Sequence, residues 1–147
     1  LINEWRSKRK DDEKDNSFHP KGLRYETDQG DMVRSKSEMI IANSLYQRRD
    51  EIVYDYEYEL ELRVGKNVII IHPDFRILIL KTGRIVYWEH VGMLDDPTYA
   101  NEFVTKVNTY VNNGFVPGRD VIFTYEPSDN PIDTRVIKRM IAELCSE

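Results

Sequence analysis

An almost continuous apolar stretch from residue 68 to residue 80 constrains the fold of this chain more than any other sequence feature. It opens with four consecutive β-branched residues, Val68 to Ile71, and resumes after His72-Pro73. A strand that is apolar at successive positions is usually covered on both faces, as at the centre of a layered α/β domain. We therefore predict a central strand here, interrupted by a single acidic residue, Asp74.

The flanking segments predict helices and strands in alternation. A helix from Ser35 to Arg49 opens with Ser35-Lys36-Ser37-Glu38, which matches a capping box. Strand patterns follow at 53–62, where tyrosine and leucine alternate with acids, at 85–91 and at 121–125. Asp96-Pro97 and Asn130-Pro131 have the cap-then-proline pattern of helix starts. The predicted order is α-β-β-β-α-β-α, an α/β fold whose mixed sheet is flanked by helices.

Composition limits the domain organisation and the classes of partner. The 147 residues suit one domain, predicted at 34–147, preceded by a charged linker or N-terminal extension at 1–33. A lone cysteine, Cys145, gives no disulfide framework, and no apolar run is long enough to span a bilayer. We expect a cytoplasmic protein with no membrane partner. The start at Leu1 leads us to expect additional domains of a longer chain, and a homo-oligomer is compatible with the sequence.

The net charge of −5 argues against a protein that coats nucleic acid through many lysine and arginine contacts. It does not exclude an enzyme that acts on nucleic acid. Carboxylates gathered to bind a divalent metal lower the net charge, and the bound metal then supplies the positive field that a phosphate needs.

Three carboxylates lie where a folded core would not ordinarily place them. Glu38 falls on the inward face of the first helix, although its place in the capping box is an equally good explanation. Asp74 interrupts the apolar stretch, and the alternative is a turn or bulge made by Pro73. Glu89 lies in an aromatic strand, with a cross-strand salt bridge as the ordinary alternative. Each carboxylate is a weak signal alone, and the three together form a sharper pattern.

A Pro-Asp on one strand, a glutamate on the next and a glutamate in the preceding helix resemble the PD-(D/E)xK nuclease superfamily over about residues 30 to 126. The resemblance implies a restriction-endonuclease-like core, in which a helix, a three-strand meander, a crossover helix and a fourth strand follow in order. Asp74 matches the Pro-Asp position, Glu89 the (D/E) position, and Glu38 the first-helix glutamate of many members. The implied activity is hydrolysis of DNA phosphodiester bonds.

The resemblance also implies a metal and its ligands. Asp74 and Glu89 would hold Mg²⁺ or Mn²⁺, with Glu38 as a third or water-mediated ligand and the backbone carbonyl of His90 as a further one. The His90 side chain alternates away from Glu89, and we predict that it packs and is not a general base. Endonuclease and exonuclease activity are both compatible with the pattern.

The chain departs from the family at one position, because Val91 stands where the motif usually has lysine. We predict that Lys106, on the helix that follows, replaces it in the site. The alternative is a lysine that lies along aromatic surface with its ammonium in solvent. Lys36 is less favoured, because it points roughly opposite Glu38.

Two other functions therefore remain open from the sequence. The first is a catalytically degenerate nuclease-like fold that docks nucleic acid or protein. The second is an α/β interaction domain in which all three acids are structural. We assign no role to Glu126, and we predict that Glu57 is solvated on the polar face of the first strand.

Overall fold

The structure is a computed structural model that describes residues 22–130 and 132–146. In chain order its elements are β1 (Tyr25–Glu26), β2 (Met32–Val33), α1 (Lys36–Tyr46), β3 (Ile52–Tyr56), β4 (Leu60–Val64), β5 (Asn67–Ile71), β6 (Phe75–Ile79), β7 (Ile85–Val91), α2 (Pro97–Asn112), β8 (Val121–Tyr125) and α3 (Thr134–Ser146).

A four-stranded mixed sheet in the order β3-β6-β7-β8 forms the centre of the domain. β3, β6 and β7 are antiparallel neighbours, whereas β8 runs parallel to β7. Parallel neighbours need a long crossover connection, and α2 supplies it. The predicted α/β class, with a mixed sheet flanked by helices, is confirmed.

One face of the sheet is covered by α1 and α3, which pack against each other. Its core is aliphatic and aromatic, because every second residue of each strand points to this side. The largest side chains buried here are Ile41, Leu45, Ile52, Tyr54, Phe75, Ile77, Ile79, Trp88, Ile137 and Ile141.

The opposite face is covered by α2 and by a hairpin of β4 and β5. Leu62 from the hairpin and Tyr110 from α2 pack on Tyr87 and Val121 of the sheet. All five residues of β6 are buried, which agrees with coverage on both faces.

The prediction of one central strand over residues 68–80 is wrong. β5 pairs with β4 in a two-stranded sheet of its own, and only β6 joins the main sheet. Pro73 lies between them, and proline cannot donate to a strand ladder. The predicted strand 53–62 divides in the same way, because the chain turns at Glu57, whose φ of 52° is left-handed.

The prediction that Glu57 is solvated is wrong, because the structure buries it. Its side chain accepts from the Arg34 guanidinium at 2.6 Å and 3.1 Å. A bidentate arginine partner explains how a glutamate can be buried at the point where the chain leaves the sheet.

The remaining boundaries follow the sequence closely. β7 and β8 have the predicted limits, and α2 begins after the predicted cap Asp96. α3 begins at Thr134, with Asp133 as its cap, which is later than the Asn130-Pro131 signal. Pro131 lies outside the described residues, as do residues 1–21 of the predicted extension.

The described part of the predicted extension includes β1 and β2, which pair in a short hairpin near α1. Val33 in this hairpin is fully buried. Of the described helices, none combines the length and the apolar character that a membrane span requires.

Candidate carboxylate site

The candidate site lies at the end of the sheet where β6 begins and β7 ends. The antiparallel register pairs Phe75 with Trp88, so Asp74, one residue before β6, comes level with Glu89. The backbone N–H of His90 donates to Asp74 Oδ2 at 2.6 Å. Neighbouring strands therefore bring the two predicted acidic positions to the same end of the sheet.

Glu89 is held by two side chains of α2. It is 4% exposed, and Tyr110 donates its hydroxyl to Oε2 at 2.8 Å. Lys106 Nζ lies 3.2 Å from Oε2 and 3.4 Å from Oε1. Burial raises the pKa of Glu89, while Lys106 and Tyr110 act in the opposite direction. Lys106 thus contacts the carboxylate that the motif lysine would accompany.

Glu38 occupies the first turn of α1, where it both caps the helix and faces inward. The hydroxyl of Ser35 accepts from the Glu38 backbone N–H at 3.1 Å and donates to Oε2 at 2.8 Å. Tyr56 donates to Oε1 at 2.9 Å. The serine half of the predicted capping box is confirmed, and the Glu38 carboxylate accepts from the Ser35 hydroxyl. Both carboxylate oxygens of Glu38 therefore accept hydroxyl hydrogen bonds.

The Asp74 carboxylate interacts electrostatically with Glu89 and Glu38. Burial, then Glu89, then Glu38 raise the pKa of Asp74 well above its usual range, against the weaker opposing effects of the His90 N–H and Lys106. No described residue donates to the second oxygen, Oδ1. Three carboxylates thus lie near one lysine, Lys106. A bound cation would reduce the repulsion among these carboxylates.

The donor chemistry of this site fits a hard divalent cation. Mg²⁺ takes oxygen ligands, and one or two protein carboxylates suffice while waters complete its coordination. Asp74 and Glu89 can supply these oxygens from neighbouring strands. Among residues 22–130 and 132–146, however, no group of three or more His, Cys, Asp or Glu is placed to hold a metal as it stands. The hydroxyl bonds to Glu38 make a direct third ligand from α1 the weakest part of the predicted set.

The predicted site residues are therefore joined to different degrees. The structure brings Glu89 into contact with Lys106 and Asp74 into contact with the His90 backbone. Glu38 lies within the electrostatic field of Asp74 without a hydrogen bond to it. The His90 imidazole points to the opposite face of the sheet, as predicted, where it contacts Thr124 at 2.8 Å.

Two clefts border the site on the side of α2. One of about 330 Å³ lies against Glu89, Val91, Phe103 and Lys106. The other, of about 390 Å³, lies between the β4–β5 hairpin and α2 and shares Lys106 with the first. Solvent and a ligand can therefore reach Glu89 and Lys106 from this side.

Three residues of the site were not predicted. Tyr110 and Tyr56 donate to the carboxylates, and Glu126 accepts from the start of α1 through Ser37 at 2.6 Å. The position of Tyr110, four residues after Lys106, was a usable signal, because residues four apart share a helix face. The other two depend on contacts between distant segments that no local pattern reports.

Comparisons with known proteins give limited information. No family model matches this chain. The chain is 33% identical over 87 residues to an uncharacterized protein of Methanocaldococcus jannaschii. The matched region covers 58% of this chain and 7% of that protein, so the chain spans a small fraction of the relative that it matches.

Proposed function

We propose that this chain is a metal-dependent nuclease domain that hydrolyses DNA phosphodiester bonds. The observation that carries the proposal is the contact of Lys106 Nζ with both oxygens of Glu89, at 3.2 Å and 3.4 Å, beside Asp74. It supports the prediction that a lysine from α2 compensates for Val91. A lysine whose ammonium lay in solvent alone would not make this contact.

The order of elements also supports the proposal. When the β4–β5 hairpin is set aside, α1, β3, β6, β7, α2 and β8 follow one another as helix, three antiparallel strands, crossover helix and parallel fourth strand. The restriction-endonuclease-like core that the sequence resemblance implies has the same order. Fold alone does not fix function, so the site residues carry more weight than this agreement.

The metal would be held by Asp74 and Glu89. The backbone carbonyl of His90 would be a further ligand, and Glu38 would act through water because its oxygens already accept hydroxyl hydrogen bonds. A bound Mg²⁺ or Mn²⁺ supplies Lewis-acid stabilisation and a water of lowered pKa. These residues would supply the oxygen ligands of that metal.

Lys106 would supply the positive charge that the motif lysine usually provides. Its ammonium favours the ionised form of Glu89, and its side chain is 43% exposed, so it can also meet a phosphate oxygen from the cleft. A compact ammonium stabilises charge that develops on the phosphate in the transition state. Tyr110 keeps the Glu89 carboxylate oriented towards this lysine.

The proposal is tested with the Asp74→Ala variant on plasmid and linear DNA, with Mg²⁺ or Mn²⁺ present. Because Asp74 would be a direct metal ligand, we expect cleavage to fall by roughly 100-fold or more. Asp50→Ala, at an exposed aspartate between α1 and β3, is the matched control and should cleave at the rate of the unmodified protein. Undiminished cleavage by Asp74→Ala would exclude the assignment.

A second candidate function is a nuclease-like docking module without hydrolysis. Val91 at the motif position and the hydroxyl bonds on Glu38 favour it. The two functions differ in their response to metal alone. A nuclease should gain thermal stability with Mg²⁺ or Mn²⁺, whereas a docking module should not.

A further inference from the structure

A chain of polar side chains crosses the face of the sheet that α1 and α3 cover. The His90 imidazole contacts Thr124 Oγ1 through Nδ1 at 2.8 Å and Glu126 Oε1 through Nε2 at 2.8 Å. Ser37, in the first turn of α1, donates to the same Glu126 oxygen at 2.6 Å. The side chains of His90 and Glu126 are 4% and 19% exposed, so these bonds are shielded from water.

The hydrogen-bonded side chains lead to two of the site carboxylates, one at each end of the row. The His90 backbone N–H donates to Asp74 Oδ2 at 2.6 Å. Ser37 directly precedes Glu38 in α1. A single residue, His90, is therefore bonded to the acid before β6 and, through Glu126, to the helix turn that carries the acid of α1.

Several polar atoms of this hydrogen-bond network have more than one partner. Trp88 Nε1–H donates to Thr124 Oγ1 at 2.9 Å, and Glu126 accepts from both the imidazole and the serine hydroxyl. Removing one member of a buried polar network leaves its partners unsatisfied, which costs more than the bond itself. The arrangement is thus specified as a unit.

Apolar packing alone would not fix the start of α1. Ile41, Leu45 and their neighbours hold the helix on the sheet through contacts that have little directional preference. Hydrogen bonds depend on distance and angle. The bond from Ser37 to Glu126 ties the first turn to residues that follow β8, in addition to the bonds that Ser35 and Tyr56 make to Glu38 itself.

We propose that His90 is a positioning residue of the carboxylate site, acting through Glu126 and Ser37 to fix the place of Glu38 relative to Asp74. The inference rests on the proposed function, because it assumes that these carboxylates bind a divalent metal. His90 is not a catalytic residue in this account, since its imidazole lies on the face opposite Glu89.

The first test measures Mn²⁺ binding to the full chain by electron paramagnetic resonance, with no DNA present. We expect Glu126→Ala to weaken Mn²⁺ binding by about tenfold, the usual effect of losing a group that orients metal ligands. Ser37→Ala should weaken it in the same direction. Ser44→Ala is the matched control, because its hydroxyl lies in the same helix and only returns to the Ile40 carbonyl at 2.8 Å.

The Glu126→Gln variant separates positioning from charge. The amide oxygen of glutamine can still accept from Ser37 and from the imidazole, so we expect Mn²⁺ affinity close to that of the unmodified protein. If Glu126→Gln binds Mn²⁺ as weakly as Glu126→Ala, then Glu126 acts through its charge and the positioning role is overturned. This variant and Ser37→Ala carry the test if Glu126→Ala does not fold.

A double-mutant cycle shows whether Ser37 acts through Glu38. In the Glu38→Gln background, we expect Ser37→Ala to cause no further loss of Mn²⁺ affinity, because the group that it positions has already been changed. An undiminished additional loss in that background would overturn the inference. So would single variants that melt at lower temperature but bind Mn²⁺ as tightly as Ser44→Ala.

Asp74→Ala distinguishes this inference from the proposed function. If Asp74→Ala removes Mn²⁺ binding while Glu126→Ala and Ser37→Ala leave it intact, only the positioning role fails. If Asp74→Ala also leaves Mn²⁺ binding intact, the metal site and the inference that rests on it both fail.

Discussion

The two faces of the central sheet are built from the same strands but are used differently. On the side of α1 and α3, Trp88 is fully buried and the polar groups beside it are joined into one network. On the side of α2, Lys106 borders two clefts of about 330 Å³ and 390 Å³, and Glu89 lines the first of them. The closed face holds the framework in place, and the open face gives access to Glu89.

Alternation along β7 makes this division possible. Trp88 and His90 point to the closed face, whereas Tyr87 and Glu89 point to the open one. One short strand therefore supplies both a core tryptophan and a candidate metal ligand. Substitutions at these adjacent positions should differ in their effects, because one lies in the core and the other in the candidate site.

The largest effect is expected on the closed face, from Trp88→Ala. Loss of this buried ring should destabilise the domain by about 3–5 kcal/mol, since it leaves a cavity and removes one of the hydrogen-bond partners of Thr124. Urea unfolding followed by circular dichroism measures the change. Tyr99→Ala, at a ring that is 47% exposed on α2, is the control and should change stability by less than about 1 kcal/mol. A loss below about 1 kcal/mol for Trp88→Ala would contradict the description of this face.

The open face contains a buried ion pair whose disruption should cost nearly as much. Arg76 donates to Asp55 Oδ1 at 3.1 Å, and its guanidinium lies 3.5 Å from the centre of the Tyr58 ring. Arg76→Met removes the guanidinium that neutralises the buried Asp55 carboxylate, so we expect a loss of about 3 kcal/mol in urea unfolding. Adding Asp55→Leu should recover most of it, and a double variant no more stable than Arg76→Met would show that the charge is not the cause.

A stabilising change is expected at the carboxylates, from Asp74→Asn. The raised pKa of Asp74 means that its ionised form is disfavoured in the folded protein. The metal-free protein should therefore lose stability as pH rises from the ordinary range of an aspartate through the raised pKa of Asp74. Asparagine removes the charge and should stabilise the metal-free protein by on the order of 1 kcal/mol at neutral pH.

Thermal melts of both proteins between acidic and neutral pH measure this effect. Asp74→Asn should show a smaller fall in melting temperature as pH rises than the unmodified protein does. Saturating Mg²⁺ should stabilise the unmodified protein and not the variant. Identical pH dependence in the two proteins would show that ionisation of Asp74 does not limit stability.

The smallest effect is expected on the outer surface of α3, from Arg139→Ala. Its side chain is 82% exposed and pairs with Glu143 at 3.7 Å. Exposed pairs four residues apart contribute little, so unfolding free energy should change by less than about 0.5 kcal/mol. A larger loss would mean that the outer surface of this helix, and not only its inner contacts, holds the closed face together.

The sequence was most informative where structure is local. The limits of β7 and β8 could be predicted because short aromatic and β-branched runs are bounded there by turn residues. The β4–β5 hairpin could not, because consecutive apolar residues do not reveal whether they belong to one strand or to two. Pro73 was the available signal, and its effect became decidable only once the partner of β5 was known.

The candidate site divides along the same line. The helix face that carries Lys106 made this lysine a candidate for the site, and the structure then shows its contact with Glu89. The bond from Ser37 to Glu126 joins residues 89 positions apart, and the burial of Glu57 depends on Arg34, 23 positions away. Periodicity describes an element and its faces, whereas these contacts depend on how whole elements are placed.

The hairpin that the sequence did not reveal is closed at its base. The Glu57 N–H donates to the Asp74 carbonyl at 3.0 Å, so the excursion leaves and rejoins the sheet at adjacent points. Segments whose ends meet can be lengthened, shortened or exchanged at modest entropic cost. The β4–β5 hairpin is therefore a suitable position for grafting a redesigned or transplanted loop. Such a loop could alter what is recognised beside Lys106 while Asp74 keeps its place.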